Sequence, residues 1–186
     1  MAQMSSAVFE GTGMAGGQIA VPSGRVALLT FVLGELCVGL PLACISEVAR
    51  AVAITALPQA PAIVEGVVNV RGELAPVLDV RGRFRQPAVP LHPDQHFVVA
   101  RAGARLVVLR VDRVTDVLEV ESETIESVAH AVPGVEYVQG VAKRADGLLV
   151  IHDLETFLAL DEAAQVDRAI ARARASDTER ATHGGG

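Results

Sequence analysis

The sequence predicts an all-β fold made of two similar small barrels. Three observations carry that expectation. Short apolar runs rich in Val, Leu and Ile come in pairs, tight turns at close spacing join the members of each pair, and the same order of strands and turns occurs twice. The chain has 186 residues, of which 51% are hydrophobic and 20% charged. Such a chain can bury a sizeable core, and wholesale disorder is excluded.

Residues 1–24 are rich in Gly, Ala and Ser, keep no period, and read as a flexible N-terminal tail. They lack the basic and apolar regions of a signal peptide. Gly11 to Gly16 matches G-x-G-x-x-G, but no strand precedes it, no helix follows, and Pro22 comes soon after. A pyrophosphate site needs both flanks, so nucleotide binding is not expected.

Leu29, Phe31 and Leu33 alternate, Gly34-Glu35 turns the chain, and Val38, Leu40 and Leu42 alternate on the return, which makes a hairpin. Ala43 to Arg50 then reads as one or two helical turns, because Ile45 and Val48 lie three apart. The second hairpin runs from Val67 through a turn at Arg71-Gly72 to Val80, and the third from Phe97 through Ala102-Gly103 to Val111. The fourth runs from Val138 through Ala145-Asp146-Gly147 to Ile151. Asp153 to Leu160 reads as a short helix with Asp153 as its cap. Past Asp161 the composition shifts to Ala, Arg and acid. Residues 162–186 read as a partly helical or disordered tail, with Val166 and Ile170 as an i, i+4 pair in a candidate C-terminal helix.

The repeat fixes the organisation. Phe31 to Val48 matches Phe97 to Val117, and Gly66 to Asp79-Val80 matches Gly140 to Asp153-Leu154, in the same order with an offset that grows as loops lengthen. Residues 25–161 are therefore expected to form one domain of two β subdomains, roughly 25–90 and 91–161, each a five-stranded barrel. Small closed barrels fill their interiors with side chains, so binding is expected on outer faces and in the groove between barrels.

Composition narrows the chemistry. A net charge of −6 and 3% aromatics, with no Trp, argue against a general nucleic-acid binder or a base-stacking platform. Two cysteines, Cys37 and Cys44, cannot staple a domain of this size and suit a reducing compartment. No apolar run approaches the roughly 18 residues of a membrane span. His92 and His96 have i, i+4 spacing, but Pro90 and Pro93 argue against the helix that a metal pair would need. His152-Asp153 has no further ligand cluster behind it, and neither the serines nor the cysteines sit in a nucleophile motif. No cofactor, metal or catalytic constellation is expected.

The cations are mostly arginine, with Lys143 the one lysine. Arg81, Arg83 and Arg85 would share one face of a strand, which reads as a solvated face, as a contact for an acidic partner, or as a nucleic-acid contact. Arg71 sits at a turn in an otherwise apolar hairpin, and Glu47 is the carboxylate expected to pair with it. That pair reads either as a packing salt bridge or as the support of a binding groove, and both can hold.

These residues together resemble the CheW family, the adaptor proteins of bacterial chemosensory arrays. The likeness runs from about Leu28 to Leu160. It rests on the Leu29–Gly34 hairpin, Ile45-Ser-Glu-Val48, Leu57 to Gly66, Val67-Val-Asn-Val-Arg-Gly72, Pro76-Val-Leu-Asp-Val-Arg81, Val111 to Val114, and Gly140 through Leu154. The first hairpin here reads Glu35-Leu-Cys-Val38, with one charge and no aromatic where the family often has both, and Asn69-Val-Arg-Gly72 replaces a common Asn-Leu-Arg-Gly. The resemblance implies two SH3-like five-stranded barrels and no catalysis. It implies an adaptor between the cytoplasmic tip of methyl-accepting receptors and the regulatory domain of a CheA-type histidine kinase, cytoplasmic and recruited to membrane-associated arrays without inserting in the bilayer. It associates Ile45, Glu47, Gly66 and Arg71 with receptor coupling. The competing readings are a small-barrel nucleic-acid-binding or other protein-interaction module, and an enzyme with an unrecognised site.

Overall fold

The computed structural model describes residues 24–126, 138–144, 147–152, 154 and 164–172. Its strands are β1 (Arg25–Leu33), β2 (Leu36–Pro41), β3 (Ile45–Arg50), β4 (Val64–Val70), β5 (Glu73–Leu78), β6 (His96–Ala102), β7 (Arg105–Val111), β8 (Arg113–Glu121), β9 (Ile125–Glu126), β10 (Val138–Arg144) and β11 (Gly147–His152). Among the described residues, 164–172 lie in a helix, α1. The expected hairpins β1–β2, β4–β5, β6–β7 and β10–β11 are all present and antiparallel.

The strands form two sheets, in the orders β8-β1-β2-β11-β10-β9 and β3-β6-β7-β5-β4. The repeat is visible in this order, because β1 to β3 answer to β6 to β8 and β4–β5 to β10–β11. The sheets nevertheless exchange hairpins. Each combines the opening hairpin of one repeat with the third strand and closing hairpin of the other. The joins are parallel, β2 against β11 and β5 against β7. Each sheet draws on strands from both halves of the chain, so neither sheet coincides with residues 25–90 or 91–161. In the second sheet the chain after β3 returns so that Thr55 pairs with Val67 of β4. In the first, β9 pairs with β10 in the same way after the 3-10 turn at Ser122–Thr124.

Double-sided burial explains the continuous apolar runs. On β6, Phe97 and Val99 fill the second barrel while Val98 and Ala100 face a core shared between the sheets. On β7, Leu106 and Val108 point into the barrel, and Val107, Leu109 and Val111 point into the shared core. Leu29, Phe31, Leu33, Val38 and Leu40 meet them there from the first sheet. Leu28, Ala142, Leu149 and Ile151 fill the first barrel. The space between the barrels, expected to offer a groove, is therefore packed core.

Two glycines pin the repeat. Gly66 follows a bulge in β4, and a Cβ there would lie 2.2 Å from the Thr55 carbonyl oxygen. Gly140 follows the matching bulge in β10, and a Cβ there would lie 2.5 Å from Ile125 Cγ2. Both let a returning segment close on a bulged strand.

Three expectations change. Ala43–Arg50 is not helical: a 3-10 turn at Leu42–Cys44 leads into strand β3, where Ile45 and Glu47 flank a bulge. The spacing of Ile45 and Val48 reflects that bulge. Arg81, Arg83 and Arg85 do not share a strand face, because Asp79 caps a 3-10 turn over Val80–Phe84 and Arg85 is left-handed. The C-terminal helix is not a loose tail, since Val166 and Ala169 are buried in the shared core and Ile170 packs against it. The short helix expected over 153–160 lies outside the described residues except for Leu154, which is buried.

Candidate partner-binding face

The Glu47–Arg71 pair expected from charge is formed: the Arg71 guanidinium donates to the Glu47 carboxylate. Glu47 stands on β3 opposite Val99 of β6. Arg71 comes from the β4–β5 turn, where Arg71 (φ 52) and Gly72 (φ 92) both take positive φ. That is the type I′ geometry whose twist suits a hairpin, and its first position ordinarily favours Asn, Asp or Gly. The Asn69 side chain accepts from the Gly72 N–H at 2.7 Å and steadies the turn. An arginine is thus held in a backbone conformation that disfavours it.

Arg71 is not near the core. Its side chain is 81% exposed and that of Glu47 31%. An ion pair this open contributes about 0–1 kcal/mol, so stability alone does not explain a strained arginine at this place. The pair lies at the seam of the second barrel, where β3 and β4 are the two ends of the strand order and the stretch after β3 meets β4 through the Thr55–Val67 bridge, with N···O distances of 3.0 and 2.8 Å. Gly66, beside that bridge, has no room for a side chain. Ile45 is half-buried against the shared core. Leu42, Val48 and Val52 project from the same stretch, 38%, 40% and 57% exposed. Ile45, Glu47, Gly66 and Arg71 therefore lie along one seam: a strand edge with exposed apolar side chains and one ion pair, a composition suited to protein contact.

A second polar cluster, which sequence reasoning largely missed, forms around Arg110 of β7 and Arg81. Arg110 is 1% exposed. It donates to both Glu65 oxygens at 2.6 and 2.7 Å, to Asp79 at 2.7 Å, to Gln95 at 3.0 Å and to the Val89 carbonyl at 3.1 Å. Arg81, also 1% exposed, pairs with Asp79 at 3.1 Å and with Asp112. It is committed to internal carboxylates, which removes it as a surface contact for an acidic partner. Arg83 is half-buried and Arg85 exposed. Asp112 accepts from the Gly34 N–H at 2.7 Å, so the network grips the β1–β2 turn of the other sheet. Burial pushes the Asp112 carboxyl up, but the Gly34 N–H, Arg81 and Gln95 outweigh it and hold its pKa below the ordinary carboxylate value. A cavity of about 400 Å³ opens beside the cluster, lined by Ala62, Ile63, Asp79, Arg81, Arg83 and Gln86 among others. Asp79, Arg81 and Asp112 fell in the motifs that carry the resemblance. Arg110 gave one signal, a charge inside the apolar run Leu106–Val111.

Among the described residues the histidines do not converge. His92 faces Asp94 at 3.4 Å in an exposed loop, and His152 is buried edge-on to Phe84 at 5.5 Å. Among the described residues no group of three or more His, Cys, Asp or Glu is placed to hold a metal ion. No described helix is long and apolar enough to cross a membrane.

A family model described as the CheW-like domain matches residues 27–162. The chain belongs to the CheW-like family. Among its CheW relatives, chemotaxis protein CheW of Klebsiella aerogenes is 30% identical over 141 residues, covering 75% of this chain and 85% of the relative. CheW of Treponema pallidum is 27% identical over 150 residues, covering 77% and 88%. The crystal structure of scaffolding protein TtCheW from Thermoanaerobacter tengcongensis aligns with a TM-score of 0.68 at 27% identity, covering 74% of this chain and 95% of that one. The two barrels are thus the two SH3-like subdomains of the CheW fold, and the described residues of α1 lie beyond the end of the CheW-like match.

Proposed function

We propose that the chain is a non-enzymatic adaptor that couples methyl-accepting chemoreceptors to a CheA-type histidine kinase in a chemosensory array. Membership of the CheW-like family supports the adaptor role. The observation that carries the receptor contact is the Glu47–Arg71 pair across the exposed seam, where a strained arginine contributes little to stability. In this reading Ile45, Glu47, Gly66 and Arg71 form the receptor-coupling face. Gly66 and the Thr55–Val67 bridge keep the seam closed, and the pair offers one anionic and one cationic group to the receptor tip. The kinase regulatory domain docks elsewhere, so that both partners are held at once in the cytoplasm at the membrane-associated array.

An adaptor transmits a signal only if its contacts differ between the kinase's on and off arrangements, since only differential binding shifts an equilibrium. The buried Arg110–Asp79–Arg81–Asp112 chain, which ties the Gly34 turn to the second barrel, supports such transmission by holding the two barrels as one unit.

Replacing Arg71 with Ala tests the assignment. Receptor-tip binding is expected to weaken at least fivefold while binding to the kinase regulatory domain stays within twofold. Equal loss of both, with a lowered melting temperature, would make Arg71 structural and remove it from the face.

A further inference from the structure

Residues 86–93 read Gln-Pro-Ala-Val-Pro-Leu-His-Pro and join the 3-10 turn at Val80–Phe84 to β6. Proline stands at every third position, Pro87, Pro90 and Pro93. Each ring fixes its own φ at about −65°, and each proline pushes the residue before it out of the helical region. Those preceding residues are Gln86, Val89 and His92. Most of the segment is therefore biased locally toward polyproline II, whose turn is also three residues.

The fold keeps this segment on view. Residues 86–92 belong to no helix or strand, and Pro87 through Asp94 are all exposed. Val89 and Leu91 add apolar surface, 36% and 40% exposed. The backbone beneath is anchored. The buried Arg110 donates to the Val89 carbonyl at 3.1 Å and to the Pro90 carbonyl at 3.4 Å. Its bonds to Glu65, Asp79 and Gln95 fix Arg110 itself. Gln95 closes the far end: its side chain accepts from the His92 N–H at 3.0 Å, and its own N–H donates to the His92 carbonyl at 3.0 Å. A buried polar network thus holds an exposed proline ridge in place.

A segment held extended in advance loses little entropy on binding. The surface that complements it is a groove lined by aromatic side chains, which takes two prolines three residues apart. The described aromatic rings of this chain offer no such groove to a second copy. Phe31 and Phe97 are buried, Phe84 is half-buried edge-on to His152, and the chain has no Trp. We propose that residues 86–93 form a polyproline II docking strap for a separate protein domain with an aromatic-lined groove, with Pro87 and Pro90 as the anchoring pair. The strap includes no residue of the Glu47–Arg71 pair, so this inference stands apart from the receptor contact.

NMR on the isotope-labelled full chain tests the strap. In the free protein, the three-bond amide couplings of Ala88, Val89 and Leu91 are expected in the polyproline II range, and helical values overturn the proposal. The binding probe is an isolated peptide-binding SH3 domain of known P-x-x-P specificity. Its titration is expected to give saturable shifts centred on the Ala88, Val89 and Leu91 amides, with a submillimolar Kd. Pro87→Ala/Pro90→Ala is expected to weaken that binding at least tenfold while strand amides stay in place, and Arg71→Ala to bind as wild type does. A free P-x-x-P peptide, which needs no variant to fold, is expected to displace the chain from the SH3 groove. No saturable shift at millimolar SH3 domain, shifts centred outside 86–93, undiminished binding by the double variant, or failure of the peptide to compete overturns the strap.

Discussion

Arg71→Asn separates function from structure more sharply than alanine does. Arg71 occupies the first position of a type I′ turn at φ 52. Asparagine is a favoured residue at that position, and left-handed backbone costs an ordinary L-residue roughly 1–2 kcal/mol, less for Asn. The exchange should relieve about 0.5–1 kcal/mol of strain. Against this stands the lost pair with Glu47, whose two side chains are 81% and 31% exposed, worth about 0.2–1 kcal/mol. The two effects nearly cancel, so the net change is expected within about 0.5 kcal/mol of zero. Urea unfolding followed by circular dichroism measures it, and with a slope of about 1–3 kcal/mol per molar the midpoint should move by less than about 0.5 M. Receptor-tip binding by the same variant should fall at least fivefold. A midpoint lowered by more than about 1 M would show that Arg71 is a structural residue and that the seam has been misjudged.

Other expectations follow from the packing. Gly66→Ala forces a Cβ to 2.2 Å from the Thr55 carbonyl, whereas Gly72→Ala meets nothing within 4 Å. Both carry a positive-φ cost, so chemical denaturation should place Gly66→Ala about 2 kcal/mol or more below Gly72→Ala, and equal stabilities would mean that the bulge relaxes freely. Arg110→Ala removes the cation from the partly buried Glu65 carboxylate and leaves Asp79 with Arg81 alone, and should cost about 3 kcal/mol, far more than Arg71→Ala; a loss below about 1 kcal/mol would show that the cluster rearranges. The folded-state pKa of Asp112 is depressed, so its contribution is present above the unfolded-state value near 4 and is lost as pH falls through the folded one. Stability measured from pH 6 to 3 should therefore drop less steeply below about pH 4 in Asp112→Asn than in wild type, and parallel curves would refute the assignment.

Much of the fold was legible because hairpins are local. The turns at Gly34-Glu35, Arg71-Gly72 and Gly103 are legible from their residues, and the repeat aligns Gly66 with Gly140, each of which follows a bulge. The exchange of hairpins between sheets was not legible. It is decided by the parallel contacts β2–β11 and β5–β7, which no local pattern records. β3 was read as helix because a bulged edge strand exposed on one side loses its period of two. Arg81 was read as a surface group because a 3-10 turn turned it inward, where Asp79 and Asp112 compensate its charge. Residues 162–186 read as a tail, yet small residues such as Ala169 let the helix at 164–172 approach the core closely. The Glu47–Arg71 pair was found from charge economy, although the guanidinium lies in solvent and not beside the core.

The adaptor function is tested most directly by a calorimetric titration of the full chain against the regulatory domain of its own organism's CheA-type kinase, repeated with the receptor cytoplasmic tip already bound. Saturable one-to-one binding with micromolar or tighter affinity, retained when the tip occupies the Glu47–Arg71 face, is the predicted result. Absence of binding at high concentration, or competition between kinase and receptor for one face, would contradict an adaptor that holds both partners at once.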